Sequence, residues 1–176
     1  MEAGDLFKVP GDSAVFYVNA DMEKMYFFNS EVYHTWYDDF SGVVEIAPTC
    51  TDAYPDAKGV SYLPGSVLVK TTISPSVYVV EPNNKLEKLA DENAAKALYG
   101  TDWAKKVRDV PSIFFLTFTK ETTSLDGTKP HEGMLVKKGT VTYKVDGGAL
   151  KTIDGTLPAF VAKYVQSPAA SVVDAL

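Results

Sequence analysis

Chemically reactive side chains are sparse in this sequence of 176 residues. It holds one cysteine, Cys50, and two histidines, His34 and His131. A cysteine nucleophile needs a histidine and a third group that orients it, and neither histidine lies in a recognisable motif. We therefore expect Cys50 to be an inert small residue. His34 is expected to pack in an aromatic segment, and His131 is expected to be a solvated residue of a polar linker.

Two short acidic stretches supply the candidate metal ligands. Asn19, Asp21 and Glu23 place oxygen atoms at alternate positions, as the start of a calcium-binding loop does, but the glycine and the distal glutamate of such a loop are missing. Asp38 and Asp39 are adjacent, and neighbouring positions on a helix point about 100° apart. Asp21, Glu23, Asp38 and Asp39 are therefore expected to bind a cation only weakly or between molecules.

Longer catalytic motifs are missing from the sequence. It contains no Walker loop, dinucleotide-binding glycine pattern, zinc-binding Cys/His spacing, nucleophile elbow or HExxH motif. We therefore expect a protein that is not an enzyme and that uses no cofactor. An uncharacterised hydrolase is kept as an alternative, in which carboxylates from separate loops, such as Asp38 and Glu45, form the catalytic pair.

Composition excludes several other classes of protein. The formal net charge is −6, from 17 basic and 23 acidic residues, so the chain is not expected to bind the phosphate backbone of nucleic acids. A single cysteine allows no intrachain disulfide. No apolar run reaches the ~18 residues of a transmembrane helix. The acidic start lacks the apolar segment of a signal peptide and is typical of a mature chain with an added Met1.

Three segments of the chain repeat the same order of elements. They open at Leu6, Leu68 and Leu135, with spacings of 62 and 67 residues, and each continues with a β-rich stretch, a polar turn, a second short strand and a helical stretch. One hairpin buries too little surface to be stable alone, whereas a helix across it and neighbouring units complete a core. The sequence therefore predicts an α+β fold of three degenerate β-hairpin-plus-helix repeats in a single domain. The predicted domain is 1–176, with repeats at about 5–46, 67–110 and 134–174 and linkers at 47–66 and 111–133.

Polar capping residues and helix breakers predict where the three helices begin and end. The first helix is predicted at 31–40, after the cap Asn29 or Ser30. The second follows the cap Asp91, runs through Leu98 and is stopped by Gly100. The third is predicted at 158–165, after Asp154 or Thr156. The segment 113–119 is rich in β-prone residues and predicts an extra strand. Small apolar pairs, of which Val172-Val173 is the last, are expected to close the repeats.

Aromatic residues are expected to fill the core between these units. Tyr17, Tyr78 and Tyr143 fall on the first β-rich stretch of the three repeats and are expected to occupy equivalent places. Alternatively, exposed rings form a platform that binds sugars. The residues of that platform are then Tyr17, Trp36, Tyr37, Tyr78 and Trp103.

The spacing of these aromatic motifs resembles a known repeat. The motifs that carry the resemblance are Leu6-Phe7-Lys8, Tyr26-Phe27-Phe28-Asn29 and Trp36-Tyr37-Asp38-Asp39-Phe40-Ser41-Gly42-Val43, then Tyr62-Leu63-Pro64-Gly65, Leu68-Val69-Lys70 and Ala97-Leu98-Tyr99-Gly100-Thr101-Asp102-Trp103. Over about residues 4–118 the chain is similar to a repeat of predicted surface-layer (S-layer-like) proteins from candidate-phyla bacteria of the Patescibacteria/Parcubacteria type. The chain departs from that repeat at Asp21-Met22-Glu23-Lys24, where the family has Asp-Gly-Lys-Arg, and at Lys88, where it has tryptophan.

The resemblance implies a secreted or cell-surface, extracellular structural module without an activity of its own. Its expected partners are other copies of itself or components of the cell envelope. The alternative is an adhesion module that binds glycans or proteins through the exposed aromatic residues.

Overall fold

The computed structural model describes residues 1–153 and 155–176. Helices and strands both occur in it, which confirms the α+β class. The chain divides into two compact units, residues 1–61 and 62–176. The boundary falls inside the linker predicted at 47–66, and a single domain over 1–176 stays a prediction. None of the helices in the described parts of the chain is long and apolar enough to cross a membrane.

The first unit is a four-stranded sheet with one α-helix. Its elements in chain order are β1 (Leu6–Lys8), β2 (Phe16–Val18), β3 (Lys24–Tyr26), α1 (Ser30–Trp36), β4 (Val43–Glu45) and a 3-10 helix at Pro48–Ala53. The strand order is β3-β2-β1-β4, in which β4 lies parallel to β1 and the other neighbours are antiparallel. A parallel neighbour needs a crossover connection, and α1 supplies it.

Helix α1 is shorter than predicted. Asn29 caps it, because its side-chain oxygen accepts a hydrogen bond from the Val32 N–H at 2.9 Å. The predicted end of the helix at residue 40 is wrong, since the helix ends at Trp36 and Tyr37 is extended, with φ −135°. The Tyr33 hydroxyl donates to the Asp39 carbonyl at 2.8 Å and so holds the chain after the helix in a turn.

Aromatic rings and small apolar side chains fill the core of the first unit. Phe7 and Tyr33 are almost fully buried. Phe7 stacks on Phe16, with ring centroids 5.1 Å apart, and Tyr33 stacks on Phe40 at 4.4 Å. Edge-on contact of Phe27 with Tyr33 at 5.0 Å joins the strand side of this core to the helix.

After β4 the chain returns to the opposite edge of the sheet. Residues 55–60 run parallel to β3, with bridges from Lys24 to Asp56 and from Phe27 to Val60. This part of the predicted linker is therefore ordered against the sheet.

The second unit holds two sheets. The elements of the first are β5 (Leu68–Thr71), β6 (Tyr78–Glu81), β7 (Lys85–Leu89), α2 (Glu92–Tyr99), a 3-10 helix at Trp103–Lys106, β8 (Val107–Val110), α3 (Ser112–Phe115) and β9 (Thr119–Leu125). The elements of the second are β10 (Leu135–Lys138), β11 (Val141–Asp146), β12 (Ala149–Thr152), α4 (Ala159–Ala162) and α5 (Ala170–Val173). A short 3-10 turn at Pro82–Asn84 joins β6 to β7.

Both sheets of the second unit combine hairpins with parallel neighbours. The first has the order β8-β5-β6-β7-β9, in which β8 is parallel to β5 and β9 is parallel to β7. The second has the order β10-β11-β12 with antiparallel pairs, and Gln166 forms a parallel bridge with Val136 on β10.

Helix α2 confirms its prediction. The Asp91 side chain accepts a hydrogen bond from the Ala94 N–H at 2.9 Å, and Gly100 ends the helix with a φ of 80° that favours glycine. The helix buries Ala94 and Leu98 in a core that also contains residues of β10, β11 and α5.

The segment predicted as an extra strand begins in a helix, which covers three of its seven residues. Pro111 precedes α3, and the buried Phe118 ring packs edge-on against the buried rings of Phe114 at 5.1 Å and Phe115 at 6.0 Å. The packing of three rings therefore outweighs the β propensity of 113–119, and the strand of this region, β9, begins only at its last residue.

The third predicted repeat differs from the prediction most. Its helix is α4, one turn long rather than 158–165, and Val172-Val173 lies in helix α5. Asp154, one of its two predicted caps, lies outside the described residues.

The pairing register revises the prediction about the three tyrosines. Tyr78 and Tyr143 lie opposite the second residue of β5 and of β10, whereas Tyr17 lies opposite the first residue of β1. Phe16 lies opposite the second residue of β1. Because one residue of shift turns a side chain to the other face of a sheet, the expected equivalence of Tyr17 with the other two is wrong, and Phe16 takes that place.

Candidate functional site

The most unusual polar environment in the described part of the chain surrounds His131. The residue was expected to be a solvated loop residue, and this expectation is wrong, because its side chain is fully buried in the second unit. It lies between β9 and β10, beside the end of helix α2 and the end of strand β6. Burial of a neutral imidazole is favourable only when its two ring nitrogens find partners.

Both nitrogens of His131 have a partner. Nδ1 lies 2.9 Å from the carbonyl oxygen of Glu132, which can only accept, so Nδ1 carries the proton. Nε2 is then an acceptor, and the Tyr99 hydroxyl, 2.6 Å away, donates to it. Burial lowers the pKa of His131 to about 4, because a charged imidazole would lose its hydration. The ring is therefore neutral near pH 7.

Glu81 is the third member of this cluster. Its carboxylate is 9% exposed and lies 3.8 Å from Nδ1 of His131. Burial, together with the negative charge of Glu87, raises the pKa of Glu81 to about 7, although a hydrogen bond from the Glu132 backbone acts in the opposite direction. Burial also raises the pKa of Tyr99. We refer below to Glu81, Tyr99 and His131 as the buried polar cluster.

Glu132 connects the buried polar cluster to the second sheet. Its carboxylate accepts hydrogen bonds from the N–H groups of Gly147 at 3.0 Å and Gly148 at 2.5 Å. These two glycines form the turn between β11 and β12, with φ values of 65° and 72° that glycine adopts without strain. The segment of His131 and Glu132 thus bonds to Glu81 at the end of β6, to Tyr99 at the end of α2 and to the turn between β11 and β12.

Close backbone packing holds this segment in place. A Cβ atom at Gly133 would overlap the Pro64 side chain, and one at Gly65 would come within 2.7 Å of the Met134 Cα. The Gly133 N–H donates to the Val145 carbonyl at 2.9 Å, and the Gly65 N–H donates to the Val80 carbonyl at 3.0 Å. The motif Tyr62-Leu63-Pro64-Gly65 therefore has a structural reason to end in glycine.

The hydrogen bonds of Tyr99, His131 and Glu132 are made inside the second unit. Tyr99 donates to His131, His131 donates to Glu132, and the turn glycines donate to Glu132, so each of these donors has an acceptor inside the protein. A general base must reach a proton of the substrate, and here Nε2 is occupied by the Tyr99 hydroxyl. What the arrangement provides is a set of directional bonds between distant segments of the second unit.

The five aromatic residues predicted as a binding platform are divided between the two units. Tyr17, Trp36 and Tyr37 belong to the first unit, and Tyr78 and Trp103 belong to the second. Each makes contacts within its own unit.

In the first unit, Trp36 is the most exposed of the platform residues. It is 36% exposed, and its indole N–H donates to the Ser61 carbonyl at 2.8 Å. Tyr37 packs edge-on against Phe27 at 6.0 Å, and burial, together with the nearby Tyr17, raises its pKa. Tyr17 is half-buried on β2.

In the second unit, both platform residues pack on neighbours. Tyr78 meets Phe115 edge-on at 5.6 Å, and the Lys120 ammonium lies 5.7 Å from the centre of its ring. Trp103 is half-buried against the core that includes Leu98. Trp103 therefore borders the buried core, as first expected, whereas Trp36 of the first unit is exposed.

The predicted metal ligands are used in local turns. The Asn19 side chain accepts from the N–H groups of Asp21 and Glu23 and donates to the Glu23 carboxylate at 2.9 Å. Asp39 accepts from the hydroxyl and the N–H of Ser41, and these bonds lower its pKa. Asp38 is exposed. Across residues 1–153 and 155–176, no three or more His, Cys, Asp or Glu side chains come together where they could hold a metal ion.

The remaining reactive residues occupy ordinary positions. Cys50 is exposed in the 3-10 helix of the first unit. His34 is half-buried against the Tyr33 and Phe40 rings, as expected for a packing residue. Glu45, suggested for the hydrolase alternative, forms an ion pair with Lys8 at 3.0 Å.

Comparison of the chain with models of protein families, with curated protein sequences and with solved structures finds no match. Its function has therefore to be argued from its own residues.

Proposed function

We propose that this chain is a non-enzymatic structural module of the cell surface, built from three variants of one supersecondary unit. The observation that carries the proposal is the recurrence of one pairing scheme. In β1-β2-β3 and β4, and in β5-β6-β7 and β8, a meander of three antiparallel strands is followed by a helix and by a strand parallel to the first. In β10-β11-β12 the same order holds, with the Gln166 bridge in the place of the fourth strand.

The way side chains are used in these units supports a structural role. Val18, Val80 and Val145 stand at the same register position of the middle strands and are all buried. Rings stack on rings, and the buried polar cluster bonds segments that are distant in sequence. A structural module needs tight packing of this kind, because it has to keep its shape under mechanical force.

A surface location is the second part of the proposal. It rests on the resemblance of residues 4–118 to the repeat of surface-layer proteins and on the acidic charge of −6. Antibodies raised against the purified chain should label intact cells of the organism that produces it. Labelling that appears only after the cells are lysed would contradict the surface location.

A glycan-binding or protein-binding adhesion module is the second candidate, and exposed rings of the first unit favour it. Tyr26, Trp36 and Phe40 are 38%, 36% and 50% exposed, and exposed aromatic rings suit the apolar faces of sugars. Trp36 fluorescence in a Trp103→Phe variant discriminates the two candidates. A structural module leaves acrylamide quenching of Trp36 unchanged when cell-wall glycan fragments are added, whereas an adhesion module gives saturable protection.

A further inference from the structure

The three sheets differ in what covers the outer edge of their third strand. In the first unit, residues 55–60 cover β3. The Lys24 N–H donates to the Pro55 carbonyl at 2.8 Å, the Ala57 N–H donates to the Lys24 carbonyl at 2.9 Å, and the Val60 N–H donates to the Tyr26 carbonyl at 2.9 Å. In the second unit, the seven-residue strand β9 covers β7 in the same parallel direction, with a register shift between Leu86 and Lys88.

Charge pairing accompanies both of these coverings. Lys24 on β3 forms an ion pair with Asp56 of the covering segment at 3.2 Å. Lys85 on β7 forms one with Glu121 on β9 at 2.7 Å. In each sheet, therefore, a lysine of the covered strand meets an acidic residue of the covering strand.

Strand β12 holds the corresponding place in the third sheet, and no strand among residues 1–153 and 155–176 pairs with its outer edge. Ala149, Lys151 and Thr152 are exposed, and only Leu150 is half-buried. A row of unpaired backbone groups on an exposed strand is a template for another strand.

The register identifies which groups of β12 point outward. The two-residue turn at Gly147 and Gly148 makes the closing pair Asp146 and Ala149 a hydrogen-bonded pair, and bonded and non-bonded pairs alternate along an antiparallel ladder. Leu150 and Thr152 therefore direct their N–H and C=O groups away from β11. They stand at the register positions that Lys24 and Tyr26 hold in the first sheet.

The exposed face beside this edge is positive. Lys144 on β11 and Lys151 on β12 lie directly opposite each other and are both exposed, and Asp146, which pairs with Lys151 at 2.6 Å, is the acidic group bonded there. Asp146 balances one of the two lysine charges, so an acidic residue on an incoming strand would balance the other.

We propose that the outer edge of β12 is a docking site for an extended segment of a different protein, which adds in parallel as a fourth strand and carries an acidic residue. Backbone bonds to Leu150 and Thr152 give this site its affinity, and pairing with Lys151 gives it a charge preference. The inference rests on the repeat equivalence in the proposed function, and it names the kind of partner that a surface module would join.

The probe is a synthetic peptide with the sequence of residues 117–127, which includes β9, added to the full chain. Backbone amide exchange followed by NMR should show saturable slowing by at least tenfold at Leu150 and Thr152. The amide of Lys24, which is already bonded on its covered edge, is the internal control and should not change. A matched peptide with proline in place of Thr122 and Thr123 removes an amide donor whichever way the strand faces, and it should have no effect.

A variant of the protein tests the same edge from the other side. Thr152→Pro removes an outward N–H without removing a bond to β11, so the chain should keep its fold and lose the effect of the peptide. If this variant does not fold, the proline peptide still decides the question on the parent chain.

Three results would overturn the proposal. The first is amide exchange at Leu150 and Thr152 that stays unchanged up to millimolar peptide. The second is equal slowing by the proline peptide. The third is protection of these amides in the chain alone that rises with protein concentration, which would show pairing between two copies. All are measured on purified protein, so they remain separate from the location test of the proposed function.

Discussion

Each compact unit places a buried tyrosine on a helix, but the partner of its hydroxyl differs between the units. In the first unit, Tyr33 donates to the Asp39 carbonyl, six residues away, and rings surround it. In the second, Tyr99 donates to the buried His131, 32 residues away, which itself lies beside Glu81. The first unit is thus held by contacts between rings and a local turn, whereas the second depends on a polar cluster that joins distant segments.

This difference implies that the two units respond differently to pH and to the loss of a hydrogen-bond partner. Ring contacts do not change with pH, and a carbonyl on an exposed turn accepts water when it loses its donor. A buried imidazole and a buried carboxyl have no such substitute. The chain's two tryptophans fall one in each unit, so Trp36→Phe and Trp103→Phe backgrounds report the unfolding of each unit separately.

The largest expected effect comes from removing His131. His131→Ala should lower the unfolding free energy of the second unit by about 3 kcal/mol, since it leaves a cavity and an unpaired Tyr99 hydroxyl. Urea unfolding in the Trp36→Phe background measures this change. His34→Ala in the first unit is the matched control, and a loss of about 1 kcal/mol or less is expected there because the ring is half-exposed. Equal losses of unfolding free energy in the two variants would show that the second unit does not depend on its buried histidine more than the first unit depends on His34.

The second expected effect is on pH dependence. The folded pKa of Glu81 is raised to about 7 from an ordinary 4.5, so the folded state binds a proton more tightly than the unfolded state does. The stability that this provides is present below pH 4.5 and is lost as the pH rises through 7. His131, whose folded pKa is lowered to about 4, acts in the opposite sense, because stability is lost as the pH falls from 6.5 toward 4.

Glu81→Gln separates these two contributions. Relative to the parent, the variant should gain about 2 kcal/mol in the second unit between pH 4.5 and 7, since it no longer loses stability by ionising. Urea unfolding of the second unit at several pH values gives this difference. The unfolding free energy of the first unit should be the same in the variant and the parent. If the difference in the second unit does not vary with pH, the pKa of Glu81 is the same in the folded and unfolded states.

The third expected effect compares the two tyrosine hydroxyls directly. Tyr99→Phe leaves the buried Nε2 of His131 without a donor and should cost about 1.5 kcal/mol. Tyr33→Phe frees a carbonyl on an exposed turn and should cost about 0.5 kcal/mol, because water replaces the hydroxyl. Chemical denaturation of the two variants tests the ranking, and a larger loss for Tyr33→Phe would reverse the comparison.

The smallest expected effect concerns two buried hydroxyls. Ser66 Oγ in the second unit is buried without a hydrogen-bond partner among the described residues, so Ser66→Ala should change stability by less than about 0.5 kcal/mol or increase it. Thr35 Oγ1 in the first unit donates to the Val32 carbonyl at 2.7 Å, so the isosteric Thr35→Val should cost about 1 kcal/mol. Thermal melts of both variants provide the comparison, and a clear loss for Ser66→Ala would indicate a bond that this structure does not include.

Local signals in the sequence were reliable where one residue controls one element. Asp91 and Gly100 delimit α2 as predicted, and Asn29 caps α1, because capping depends on neighbours within four residues. The end of α1 was missed, since it depends on the bond from Tyr33 to Asp39. The strand predicted at 113–119 is wrong for most of its length, because Phe118 packs against the buried rings of Phe114 and Phe115.

The candidate site was missed for a related reason. His131 lies in a polar stretch, and no local pattern distinguishes a solvated histidine from one that is buried by distant residues. Glycines at 65 and 133 were the available signal, because closely spaced turns with glycine often mark places where backbones approach. Of the aromatic residues expected in the core, Trp103 and Tyr143 pack against it, whereas Trp36 is exposed. The register of Tyr17 was not predicted, since one residue of slip leaves composition and spacing almost unchanged.

By itself, the sequence determined the α+β class, the hairpins and the caps of α1 and α2, because these depend on contacts between near neighbours. The parallel pairing of β4 with β1, of β8 with β5 and of β9 with β7 was decided only in the tertiary structure. So were the burial of His131 beside Tyr99 and the uncovered edge of β12. The parallel pairings and the bond of His131 to Tyr99 join residues far apart in the chain, and the edge of β12 stays open because no strand of the described residues pairs with it. Contacts of this kind depend on the core as a whole, because buried polar groups need partners once water is excluded.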